Sequence, residues 1–207
     1  EIEYNLWYVA KTLGAGKERY ARKSHVYIFR DWNEWEEFLA ETGAPAWSGS
    51  FAHGEELFLY VGGMGEGFDS ATLAHETTHA VVARLYPNRR WPLWLNEGFA
   101  EVMGTASIAA RKGLYLKGMQ ADLPQATLSL EELTALERYP EDREQVARLY
   151  QSGEKLVRFL MAEYPKEQFP AFVDAMLEGK PLETALREVY GVDDPARFRK
   201  AYAAFVK

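Results

Sequence analysis

Chemistry-bearing residues are concentrated in one five-residue string, His75-Glu76-Thr77-Thr78-His79. On a helix, residues four apart lie one turn apart on the same face, so both imidazoles could reach one metal ion. Glu76 would stand beside them, where a carboxylate can take a proton from a water on the metal. Two histidines packed into a core would give the same pattern, so the string alone leaves that alternative open.

A third ligand would have to come from elsewhere, because a catalytic zinc ion takes three protein ligands and keeps one open position. The chain has no cysteine and only four histidines, which directs attention to carboxylates. Seventeen residues separate His79 from Glu97, which lies near the start of a second predicted helix. Glu101, one turn later, is placed to accept a hydrogen bond from the outer nitrogen of a ligand histidine.

The elements that must position these residues follow an α+β order, with strands first and helices later. Strands are predicted at 24–30 and 56–61, and 48–52 could pair with the second as a hairpin. The longest loops are predicted at 62–67 and 111–128. Caps and apolar spacing predict helices at 31–40 behind Asp31, from 69 or 70 to about 86, from 96 to about 110, behind the Ser129/Glu132 capping box, and from 141 to about 164. Two or three more helices are expected towards the C-terminus. Residues 4–13 are apolar without clean periodicity, and we interpret them as helix.

Composition excludes several classes of protein. The 207 residues suit one domain, and we predict a single domain over 1–207, with 1–68 mainly sheet and 69–207 helical. No apolar run approaches the roughly 20 residues that cross a bilayer. A formal net charge of −7 without a dense Lys/Arg run argues against a nucleic-acid partner. The absence of cysteine excludes disulfides, cysteine-based zinc fingers and thiol nucleophiles.

The string at 75–79, followed by Leu95-Asn96-Glu97-Gly98-Phe99-Ala100-Glu101, resembles the gluzincin group of zinc metallopeptidases, which includes thermolysin-like and aminopeptidase-N-like enzymes. The chain is most similar to the compact bacterial peptidase MA-like domains. This resemblance implies a zincin-like fold in which a small mixed sheet with a helix precedes the zinc helix and a helical C-terminal half. It implies Zn²⁺ held by His75, His79 and Glu97, with Glu76 as general base and a peptide or protein as substrate.

The resemblance extends to Tyr150. Aminopeptidase-N-like enzymes carry a tyrosine that hydrogen-bonds the oxyanion, and Tyr150 occupies a similar place downstream, although it could equally be a packing residue. Their amine-binding Gly-x-Met-Glu-Asn string is missing from 48–63, so endo- and exo-cleavage both stay open. Glu55 and Glu56 could bind an amine but are also typical of a solvated turn. His53 could contact substrate, and His25 is assigned no role. The strand at 56–61 could pair with an extended substrate by strand addition.

Two alternative functions remain beside peptide hydrolysis. One is a zinc hydrolase of a non-peptide substrate, since a fold does not fix the substrate. The other is a catalytically silent zinc-binding interaction domain, against which the presence of Glu76 argues. We favour a secreted or periplasmic bacterial location, although a cysteine-free chain fits the cytoplasm equally well.

Overall fold

The protein is described by a computed structural model that covers residues 1–20, 23–62, 70–113 and 128–206. Within these residues the fold is α+β, as predicted, with a small three-stranded sheet among many helices. The strands are β1 Val26–Phe29, β2 Ser50–His53 and β3 Glu56–Tyr60. The helices are α1 Ile2–Thr12, α2 Lys17–Tyr20, α3 Trp32–Thr42, α4 Ser70–Leu85, α5 Leu93–Arg111, α6 Leu130–Ala135, α7 Arg143–Glu163, α8 Phe169–Leu177, α9 Leu182–Tyr190 and α10 Pro195–Phe205, with a short 3₁₀ turn at Lys166–Gln168.

Helix starts follow the caps that the sequence carries. The Asp31 carboxylate accepts hydrogen bonds from the backbone N–H groups of Asn33 and Glu34 at 2.9 and 3.1 Å, which opens α3. Ser129 and Glu132 form the predicted reciprocal capping box at α6. The predicted loops at 62–67 and 111–128 lie mostly outside the described residues.

Helix α5 begins at Leu93, three residues earlier than predicted. The Pro92 carbonyl accepts hydrogen bonds from the N–H groups of Leu95 and Asn96, so the first turn forms directly behind this proline. Asn96, expected at the start of the helix, instead donates its side-chain amide to Glu97. Its side chain is therefore committed to the glutamate rather than to a helix cap.

The chain forms two compact units. The sheet unit comprises 1–10, 15–88 and 103–114, and the helical unit comprises 11–14, 89–102 and 115–207, where only the described residues are meant. Helix α4 belongs to the sheet unit, and α5 runs from the helical unit into the sheet unit. A single domain over 1–207 stays a prediction.

In the sheet unit, the strand order is β1-β3-β2, with β1 parallel and β2 antiparallel to the central β3. Alternation along the strands separates two faces. Phe51 and Phe58 turn towards α3, where they join Trp35 and Phe38 in an aromatic core. Helix α4 packs against β2 and β3. One face of the sheet thus packs against the aromatic residues of α3, and α4 packs against the sheet as well.

In the helical unit, aromatic rings fill the core. Phe99 of α5 stacks on Phe169 of α8, and Phe159 of α7 contacts rings of α10 edge-on. Helices α5 and α7 approach each other closely at two facing glycines, Gly98 and Gly153. None of the helices in the described part of the chain is long and apolar enough to span a bilayer.

Candidate functional site

His75 and His79 both lie on α4 and are half-buried. Their Nε2 atoms are 3.0 Å apart, so the two rings converge on one point as their i, i+4 spacing predicts. Two nitrogen lone pairs at that distance repel each other unless a proton or a metal cation lies between them. The two nitrogens can therefore share either a proton, as an N–H···N hydrogen bond, or a metal cation.

Helix α4 is fixed to the sheet by an ion pair that a buried arginine makes near the C-terminus of the helix. The Arg84 side chain has no exposed surface, and its Nε donates to Glu55 Oε2 at 2.9 Å. A second guanidinium nitrogen donates to Ser24 Oγ at 2.7 Å. Glu55 lies in the β2–β3 turn and Ser24 precedes β1, so Arg84 ties the helix that carries both histidines to two parts of the sheet.

Glu76 is buried, with 6% of its surface exposed. Its Oε1 accepts a hydrogen bond of 2.7 Å from the Ser50 hydroxyl on β2. A carboxylate removed from water needs such a donor, because desolvation penalises its charged form. The sequence predicted Glu76 as a functional residue but gave no indication of Ser50.

Glu97 lies in the first turns of α5 and is almost fully buried, at 1% exposure. Its Oε1 accepts hydrogen bonds from Asn96 Nδ2 at 2.9 Å and from the Tyr139 hydroxyl at 2.6 Å. Sequence reasoning missed Tyr139, which lies in the connection between α6 and α7. No local pattern marks it, since it is 42 positions from the glutamate that it contacts.

His75, His79 and Glu97 form a group that could hold a metal ion. Each offers one ligand atom, and these three atoms lie within 4.8 Å of one another. Two imidazoles and one carboxylate are the donor set that a catalytic zinc ion takes in many hydrolases. The chemistry of these residues therefore fits the metal that the sequence predicted.

The remaining predicted residues occupy defined positions, but their roles stay predictions. Glu101 is half-buried on α5, one turn beyond Glu97, and Tyr150 is half-buried on α7. His53 is exposed at the end of β2. His25 is exposed too, and its Nδ1 lies 3.5 Å from a Glu56 carboxylate oxygen.

Glu55 and Glu56 both have partners within the protein itself. Glu55 binds the buried Arg84, and Glu56 lies near His25 and accepts a 3.4 Å hydrogen bond from the Tyr27 hydroxyl. These contacts account for both acidic residues structurally. They give no support to a role in holding the free amine of a substrate.

Comparison with known proteins identifies the family of this chain. A family model of the Peptidase MA superfamily matches residues 10–207, which is nearly the whole chain. The chain therefore belongs to the Peptidase MA superfamily, whose members are typically zinc-dependent. No curated protein and no solved structure matches it. Membership supports a peptidase-type hydrolase with a metallopeptidase-like function.

Proposed function

We propose that this protein is a zinc-dependent peptidase that hydrolyses peptide bonds, with Glu76 as general base. One observation carries the proposal: on a single helix, two imidazole nitrogens converge to 3.0 Å beside a buried carboxylate. Residues packed only for stability have no need of this combination, because it concentrates lone pairs and negative charge where water is scarce. The superfamily membership supports the same conclusion.

The metal ligands in this proposal are His75, His79 and Glu97, with Glu101 orienting a ligand histidine. When bound, Zn²⁺ would act as a Lewis acid towards the scissile carbonyl and lower the pKa of a coordinated water towards about 7. Glu76 accepts a proton from the attacking water and later delivers it to the leaving amine, so it ends the cycle ionised as it began. Burial helps this exchange, since the carboxylate competes with little bulk water.

Tyr150 is proposed as the donor that stabilises the oxyanion. It lies three residues before Gly153, the glycine of α7 that faces Gly98 of α5. Residues three apart share a helix face, so Tyr150 lies on the side of α7 that is directed towards α5. A phenol there would donate a hydrogen bond that strengthens as negative charge develops on the substrate.

The structure favours β2, and not the strand at 56–61, as the strand that would pair with a substrate. The prediction that 56–61 pairs with an extended peptide is wrong, because β3 is central and both of its edges are occupied by β1 and β2. In the described residues β2 pairs only with β3, and it carries Ser50, which contacts Glu76. We therefore propose the outer edge of β2 as the place where a substrate backbone adds as a further strand.

The proposal is tested with purified protein, metal analysis and a library of internally quenched peptides. We expect about one bound zinc per chain, peptide cleavage that a chelator abolishes, and recovery on adding Zn²⁺. Glu76→Gln should keep the zinc and lose hydrolysis, because an amide cannot accept the proton. Retained cleavage by this variant would remove Glu76 as the base. Zinc bound without peptide cleavage would favour a non-peptide substrate or a silent binding domain.

A further inference from the structure

The Ser50 hydroxyl is the donor that the structure provides to Glu76, at 2.7 Å from Oε1. A glutamate side chain has three rotatable bonds, and a proton acceptor must face the reacting water to be effective. A hydrogen bond on one carboxylate oxygen fixes the rotation of the whole group. The other oxygen, Oε2, is then turned to a defined side.

The backbone of Ser50 accepts one further hydrogen bond, and a second hydrogen bond connects its donor residue to the core of the sheet unit. The Ser48 hydroxyl donates to the Ser50 carbonyl at 2.5 Å, and the Trp35 indole N–H donates to the Ser48 carbonyl at 2.8 Å. Trp35 has no exposed surface and Ser48 has 6%. A continuous series of contacts therefore runs from the aromatic core to the carboxylate of Glu76.

The register of β2 against β3 determines that Ser50, and not the residue before or after it, contacts Glu76. Ser50 pairs with Leu59 of β3, while Phe51 pairs with Phe58 on the opposite face. A slip of one residue would present Gly49 or Phe51 to α4, and neither carries a hydroxyl. The β2–β3 ladder and its pleat thus place this one hydroxyl against the helix.

We propose that Ser50 is a positioning residue for the general base: its hydrogen bond to Oε1 holds the Glu76 carboxylate so that Oε2 accepts the proton. Ser50 keeps its own proton throughout, and no bond to it forms or breaks. This inference rests on the proposed function, because it assumes that Glu76 is the base. It adds a residue outside the metal ligands whose loss should slow proton transfer without releasing the metal.

The experiment compares single variants of the zinc-loaded full chain on the best-cleaved peptide of the library. Ser50→Ala should lower kcat about 10-fold to 100-fold, the range expected when a reacting group loses its alignment, with KM within about twofold of wild type. Ser50→Thr retains the hydroxyl in a strand that tolerates β-branching, so it should recover most of the rate. Bound zinc should be the same in all variants.

Thr77→Val is the matched control. Thr77 is a buried hydroxyl residue beside Glu76 on α4, but its hydroxyl donates to the Leu73 carbonyl of the same helix. Its loss should leave kcat and bound zinc unchanged. The midpoint of thermal unfolding is measured for each variant. If Ser50→Ala proves unfolded, Ser50→Cys keeps the shape of the side chain, with a somewhat larger atom that is a weaker donor, and should still lower kcat.

The outcomes separate this inference from the proposed function. Cleavage by Glu76→Gln at the wild-type rate would overturn the proposed function itself. If Glu76→Gln is inactive while Ser50→Ala keeps its kcat, only the positioning role of Ser50 is wrong. A Ser50→Ala defect confined to KM or to metal content, or one that Ser50→Thr fails to rescue, would also overturn it.

Discussion

Gly98→Ala is expected to destabilise the protein although it replaces glycine by the best helix former in the interior of α5. A Cβ built at position 98 would lie 2.8 Å from the Cα of Gly153 and closer still to its carbonyl group, all of which is backbone of α7. Ordinary carbon contacts begin at 3.4 Å, so α5 and α7 would have to separate by more than 0.6 Å. No side-chain rotation relieves that overlap.

The size of the effect follows from two opposing contributions. Overpacking a tight contact costs about 3 kcal/mol at the upper end of its usual range, which suits a backbone obstacle. The gain in helix propensity returns about 1 kcal/mol. We therefore expect the free energy of unfolding to fall by about 2 kcal/mol, which lowers the thermal midpoint by about 4–8 °C in a chain of this size. Calorimetry or circular dichroism measures this directly.

Substitutions at two further glycines serve as comparisons for the stability of Gly98→Ala in the same assay. A Cβ at Gly153 would lie 2.6 Å from the Trp94 carbonyl oxygen, so Gly153→Ala should also destabilise. At Gly104 the nearest obstacle, the Ala71 carbonyl oxygen, is 3.2 Å away, and a shift of a few tenths of an ångström suffices. Gly104→Ala should therefore be within about 1 kcal/mol of wild type. A Gly98→Ala protein at least as stable as Gly104→Ala would refute the close crossing of α5 and α7.

Three other predictions rest on single contacts. Tyr139→Phe removes a 2.6 Å hydrogen bond to Glu97 and should weaken zinc affinity about 10-fold in a chelator competition, whereas unchanged affinity would deny the tyrosine a part in orienting that carboxylate. Arg84→Met leaves the Glu55 carboxylate, about one-third exposed, without its buried partner. The free energy of unfolding, measured in urea, should fall by about 2 kcal/mol. Adding Glu55→Gln should recover part of this loss, and no recovery would contradict the pairing. Burial raises the pKa of Tyr202 from 10 to about 12. The neutral phenol therefore stabilises the fold fully below pH 10, and this contribution is lost as pH rises through 12. Tyr202→Phe should resist alkaline unfolding better than wild type, and an equal or lower midpoint pH for unfolding would contradict this.

Much of the secondary structure could be predicted because its determinants are local. Asp31 caps α3 through N–H groups two and three residues ahead, and Ser129 with Glu132 closes a capping box within one turn. The position of β3 between β1 and β2 could not be predicted in the same way. Sheet order depends on pairing between segments that are separated by α3, and alternation within a strand does not identify its neighbours.

The same distinction between local and tertiary determinants applies to the candidate site. His75 and His79 are four residues apart on one helix, so their convergence follows from helix geometry. Ser50 is 26 positions from Glu76, and its contact exists only because β2 packs against α4. Tyr139 lies further still from its partner along the chain. Residue types and short spacings therefore predicted the reacting groups, while the groups that hold them depend on tertiary packing.

The indole of Trp35 links two kinds of evolutionary constraint that are usually separate. By burial it is an ordinary core position, where phenylalanine would fill much of the same space and leave a cavity. Yet phenylalanine has no N–H to offer the Ser48 carbonyl, the contact that leads through Ser50 to Glu76. Neutral drift at this position would therefore be limited by activity as well as by stability, and a mutational scan scored on folding alone would underestimate the selection acting on it.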